Sequence, residues 1–121
     1  MNKRTLVIGD IHGGLKALIQ VLESAHVTTD DTLVFLGDYV DGWSESSQVI
    51  RYLLELTEEQ DCIFIKGNHD FWCEQYLKNG EVNRTWLFHG GALTFENYQL
   101  LNHDERQYHL NFFERMKLYY V

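Results

Sequence analysis

Three short apolar runs recur along this chain at one spacing, and each breaks off at a glycine. Residues 4–8 lead into Gly9-Asp10, residues 32–36 into Gly37-Asp38, and residues 61–66 into Gly67-Asn68. Asp10 to Asp38 is 28 positions and Asp38 to Asn68 is 30, each close to the ~30 residues of one strand–helix–strand unit. The intervals carry a helical period. Leu15, Leu18, Ile19 and Leu22 fall on one face of a helix over 14–24, at positions i, i+3, i+4 and i+7. After a polar turn at 28–31, Ser44 or Ser46 is expected to cap a second helix with Val49, Ile50, Leu53, Leu54 and Leu56 on its apolar face. This alternation predicts an α/β fold, a mainly parallel sheet with flanking helices and the first strand central.

Beyond residue 70 the pattern weakens. Helices are expected over roughly 70–78 and 104–116, and residues 118–121 read as the start of a strand. A chain of 121 residues is long enough for one domain with a core. No apolar run approaches the ~18 residues of a membrane span. The apolar stretch before Gly9 is too short for a signal peptide, so a cytoplasmic protein is expected. The formal charge of −8 argues against a broad nucleic-acid surface, which needs clustered Lys and Arg. Cys62 and Cys73 form no zinc-type pair and read as free thiols in a reducing compartment.

In a parallel sheet the three strand ends lie side by side, where open α/β sheets place their ligands. Those ends read Gly9-Asp10-Ile11-His12-Gly13, Gly37-Asp38-Tyr39-Val40-Asp41-Gly42 and Gly67-Asn68-His69-Asp70. Two carboxylates, an imidazole and an amide oxygen suit Mn²⁺, Fe²⁺ or Zn²⁺ better than Ca²⁺. The competing reading is three unrelated turns or helix caps, since Asp and Asn favour both. Three such motifs in register weigh against coincidence.

The three motifs resemble the first three of the calcineurin-like metallophosphoesterases. Their wording is closest to the branch of the serine/threonine protein phosphatases and symmetrical diadenosine tetraphosphatases. The match runs over residues 5–70. The resemblance implies a phosphoester hydrolase with two divalent ions (Mn, Fe or Zn) in the complete site, and one or none in this chain. By that resemblance Asp10 and His12 bind the first metal, Asp38 bridges both, and Asn68 binds the second. A metal-held hydroxide would attack phosphorus, and His69, oriented by Asp70, would protonate the leaving oxygen. The implied partner is a phosphorylated substrate, either a protein or a small phosphoester. The alternative is a non-catalytic module that binds one metal or a phosphate.

Two departures stand against the family pattern. Gly42-Trp43 replaces the Arg-Gly that grips phosphate in the protein phosphatases, leaving Lys66 and Arg84 as substitutes, with Trp43 able to offer a flat apolar surface. Family members also carry metal-binding histidines beyond the third motif. His89 stands only 21 positions after Asn68, and Trp86 to Thr94 fits a Trp-Leu-x-x-Gly-Gly-x-x-Thr segment of bacterial relatives better than a ligand motif. His103 and His109 read as surface residues, and His26 has no evident partner. On this reading residues 1–121 are a single, incomplete metallophosphoesterase domain.

Overall fold

The structure, a computed structural model, describes residues 3–119. Three parallel strands, β1 (Thr5–Ile8), β2 (Thr32–Phe35) and β3 (Asp61–Phe64), form one sheet in the order β1-β2-β3. The register pairs Thr5 with Thr32 and Thr32 with Asp61, so the three carboxyl ends lie level. Successive crossovers step the same way, which puts β2 in the centre rather than β1. Among the described residues β1 is an edge strand, with Val7 62% exposed.

Helix α1 (Leu15–Ser24) buries Leu18 and Leu22, and α2 (Ser46–Leu56) buries Val49, Ile50, Leu53 and Leu54. Both follow the expected faces. The α2 cap does not: Glu45 holds the cap position without a side-chain bond, and Ser46, already inside the helix, turns its hydroxyl toward Asp41. Helix α3 (Asn68–Asn79) starts two residues earlier than its apolar pattern suggests. The polar triplet after β3 is therefore the helix's first turn.

A short helix α4 (Arg84–Trp86) runs through a kinked segment, Leu87–Gly91, into α5 (Ala92–Gln99), and α6 (His103–Glu114) follows. The kink lies at His89 and Gly90, whose dihedrals leave the helical region. Helix α2 packs against α1, α5 and α6, and α3 packs against α6. The core between them holds Leu33, Phe35, Tyr39, Val40, Trp86, Tyr98 and Phe113. After α6, Lys117 pairs in parallel with Ile65 as an isolated bridge. Leu118 and Tyr119 beyond it are exposed, and Tyr120 and Val121, the rest of the expected strand, lie outside the described residues.

Candidate metal centre

The loop after β1 carries Asp10 and His12, and the loop after β2 carries Asp38 and Asp41. Ligand-type atoms of Asp10, His12 and Asp38 lie within 4.8 Å of one another, the single such group of His, Cys, Asp or Glu among the described residues. The His12 ring is set for ligation. Its Nδ1 lies 3.1 Å from the Val40 carbonyl; a carbonyl only accepts, so Nδ1 carries the hydrogen and Nε2 keeps its lone pair. That Nε2 faces Asp10 Oδ2 at 3.5 Å.

Backbone strain gathers at the same place. His12, Asp38 and Asp41 hold φ of +48°, +56° and +75°, a region that costs non-glycine residues about 1–2 kcal/mol each. The neighbouring contacts hold them there. Asp38 Oδ1 accepts the His69 backbone N–H at 3.1 Å, and the Trp43 N–H donates to the His12 carbonyl at 2.9 Å. Close approach favours glycine at position 67, because a Cβ there would stand 2.7 Å from the Asp38 backbone N. Two carboxylates and an oriented imidazole fit a divalent first-row ion.

Asp70 does not orient His69. Its Oδ2 accepts the N–H groups of Asp38 (2.6 Å) and Gly67 (2.8 Å), and its Oδ1 accepts that of Tyr39 (2.9 Å). Neighbours on a helix point about 100° apart, so Asp70 cannot face the His69 ring from the same first turn. It braces the Asp38 loop instead. Burial pushes its carboxyl up to about 7, against the opposing pull of the three N–H groups.

The partner of His69 is Asp41, whose Oδ2 lies 2.7 Å from Nδ1. Asp41 is fully buried and also accepts from Trp86 Nε1 at 2.7 Å and from the Thr94 hydroxyl at 2.5 Å. Thr94 has given its hydrogen to Asp41, so Ser46, 2.9 Å away, donates to Thr94. Burial raises the Asp41 carboxyl, and the bonds from Thr94, His69 and Trp86 pull it back. With its Nδ1 bound to Asp41, His69 has Nε2 as its remaining ring nitrogen. Its ring sits 5.1 Å, centroid to centroid, from that of His12.

Sequence reasoning quoted Asp41 within its motif but assigned it no task, and Trp86 and Thr94 stood only as a family segment. The Trp-Leu-x-x-Gly-Gly-x-x-Thr spacing was the available signal: it delivers Trp86 and Thr94 to one carboxylate. Gly90, at φ +97°, lets the kink approach the Asp38 loop so closely that a Cβ would meet Gly42 N at 2.9 Å.

Asn68 is exposed at the first position of α3, beside the His69 amide that binds Asp38. Lys66, a candidate phosphate grip, is engaged by Glu74 in a mostly buried ion pair. Arg84, His89 and His103 are exposed. His109 is no surface residue: it is buried on α6, with its Nδ1 2.8 Å from the Tyr98 hydroxyl. A cavity of about 430 Å³ lies beside β3 and the end of α6 and includes none of the metal-centre residues.

The calcineurin-like phosphoesterase family matches residues 3–119. The asymmetrical bis(5'-nucleosyl)-tetraphosphatase of Oceanobacillus iheyensis is 26% identical over 93% of this chain and 49% of its own length. The symmetrical enzyme of Pseudomonas entomophila is 37% identical over 54% of this chain and 23% of its own. A metallophosphoesterase structure from Sphaerobacter thermophilus superposes with a TM-score of 0.59, at 24% identity, over 93% of this chain and 40% of that one. A serine/threonine phosphatase structure from Saccharomyces cerevisiae gives 0.60, at 18% identity, over 98% and 37%. The last two similarities carry the fold alone. The chain spans about half the length, or less, of the curated relatives it matches. With a family match over nearly all its residues and three strand ends converging on one polar cluster, the chain belongs to the calcineurin-like phosphoesterases.

Proposed function

We propose that this chain takes part in phosphoester hydrolysis, as one unit of a metallophosphoesterase domain over residues 1–121. Asp10, His12 and Asp38 would hold a first divalent ion, and Asp38 with Asn68 would reach a second. His69 is the general acid. The observation that carries the reading is the meeting of the Asp10–His12–Asp38 group with a His69 whose Nδ1 is bound by the buried Asp41. Divalent ions at such a site neutralise phosphoryl oxygens and lower the pKa of a water molecule.

The residues of the chain supply the rest. Asp38 bears the charge that offsets the ions. Asp70 and Gly67 set the loop that aims it. Asp41 holds the His69 ring through Nδ1, so that Nε2 is left to pass a proton to the departing oxygen. Phosphoproteins and small phosphoesters, dinucleoside polyphosphates included, are the substrate classes that the relatives' names support. Manganese is the ion to test first. No helix among the described residues is long and apolar enough to cross a membrane. The free thiols of Cys62 and Cys73 support a reducing, cytoplasmic setting.

Calorimetric Mn²⁺ titration, followed by hydrolysis of an aryl phosphate, tests the proposal. Asp38→Asn should weaken Mn²⁺ binding more than Asn68→Ala, because it removes charge and a shared ligand. Equal losses would remove the bridging role, and no Mn²⁺ binding by the unaltered chain would overturn the metal site.

A further inference from the structure

The metal-centre residues account for a phosphate and leave the organic part of its ester without a seat. Two large aromatic side chains are exposed on adjoining segments: Trp43 is 68% exposed and Phe88, two residues before Gly90, 91% exposed. Trp43 is fastened to the centre by its N–H bond to the His12 carbonyl. One edge of its indole rests on the turn after His12, since a Cβ on Gly14 would stand 3.7 Å from Trp43 Cδ1. Phe88 belongs to the kinked segment, whose Gly90 carbonyl accepts from Gly42 N at 3.4 Å. Gly42 immediately precedes Trp43. The two rings therefore stand on segments tied together at the rim of the polar cluster.

Single exposed apolar residues are ordinary on a protein surface. Two large rings on backbone-bonded neighbours, next to a cluster built from carboxylates and imidazoles, are a different matter. An aromatic face holds a flat ring by stacking and asks for no matching hydrogen-bond pattern. We propose that Trp43, with Phe88 across the Gly42–Gly90 bond, is the platform on which the flat aromatic part of a phosphoester stacks while its phosphate faces Asp10, His12 and Asp38. The inference rests on the phosphoester reading above and adds the class of ester. The ring is a nucleobase or an aryl group joined directly to the phosphate, and both present the same π face.

Calorimetry on the Mn²⁺-loaded chain separates the cases. Adenosine 5'-monophosphate is compared with ribose 5-phosphate, and phenyl phosphate with glycerol 3-phosphate. At least one aromatic ester should bind about tenfold more tightly than its counterpart, as one stacked ring supplies. Preference for the nucleotide identifies a base, and preference for phenyl phosphate an aryl ester. The Trp43→Ala/Phe88→Ala double variant should erase the preference and leave the non-aromatic esters within about twofold. Trp43→Phe should keep most of it. No aromatic preference, or one that survives the double variant, overturns the platform. If inorganic phosphate binds and no preference exists, the platform alone falls; if inorganic phosphate also fails to bind, the phosphoester reading falls with it.

Discussion

Asp38 and Asp41 lie three residues apart in one loop and divide the work by their surroundings. Asp38 is partly exposed and groups with Asp10 and His12, where it could meet an ion. Asp41 is sealed under Trp86 and Thr94, and its contact toward the site is the His69 ring. Asp70, adjacent to His69 in sequence, is spent on three backbone amides. These assignments separate in kinetics. His69→Ala and Asp41→Asn should each lower turnover of alkyl phosphoesters on the order of 10²-fold or more, the usual worth of positioned proton transfer. Nitrophenyl phosphate should suffer far less, since its leaving group needs little help. Asp70→Asn should act on Mn²⁺ affinity instead. Bound-metal measurement on each variant is the control. Equal losses on both substrate classes with metal retained would make the His69–Asp41 pair structural.

At the scale of elements, α5 and α6 are joined by a polar contact between Tyr98 and His109. Burial lowers the His109 imidazole to about 4, so the ring that meets the Tyr98 hydroxyl through Nδ1 is neutral at neutral pH. In the unfolded chain the ring titrates near the ordinary 6.5. Between those values the unfolded state binds more protons, so this contribution to stability is present at neutral pH and lost as pH falls from about 6.5 to 4. Asp70, raised to about 7 by burial, contributes with the opposite sign over much of that window. A single melting curve would blend the two. Comparison with His109→Gln isolates the histidine: the difference in unfolding free energy between the two proteins should shrink by on the order of 3 kcal/mol from pH 7 to pH 4. A difference independent of pH would count against a neutral buried ring.

For the whole molecule, an ion held by Asp10, His12 and Asp38 would tie together loops that the three-stranded sheet only sets side by side. Asp10 and Asp38 are carboxylates brought close beside the His12 ring. An ion bound there favours the folded state by mass action, about 2.7 kcal/mol at a hundred times its dissociation constant. For a domain of this size that is a rise in melting temperature of roughly 10 °C. Thermal unfolding with Mn²⁺, then with excess chelator, should show the rise and its reversal, and Asp38→Asn should abolish it. No shift, or an equal shift in the variant, would argue against a site joining the β1 and β2 loops.

The parallel strands, the helices between them and the three strand ends with ligand-type side chains were all legible in the sequence. Each depends on residues close together along the chain: a run of β-branched and aromatic residues, a 3.6-residue period, a glycine before an acid. Convergence of Asp10, His12 and Asp38 followed from the regular spacing of the crossovers. The partner of His69 was not legible. The Asp41–His69 contact spans 28 positions, and the Trp86 and Thr94 bonds to Asp41 span 45 and 53. Adjacency in sequence pointed to Asp70, and the divergence of neighbouring side chains on a helix ruled it out. The edge position of β1 and the burial of His109 likewise depend on how elements stack, which no local period encodes. Tertiary packing decided which carboxylate went under cover and which stayed open to an ion.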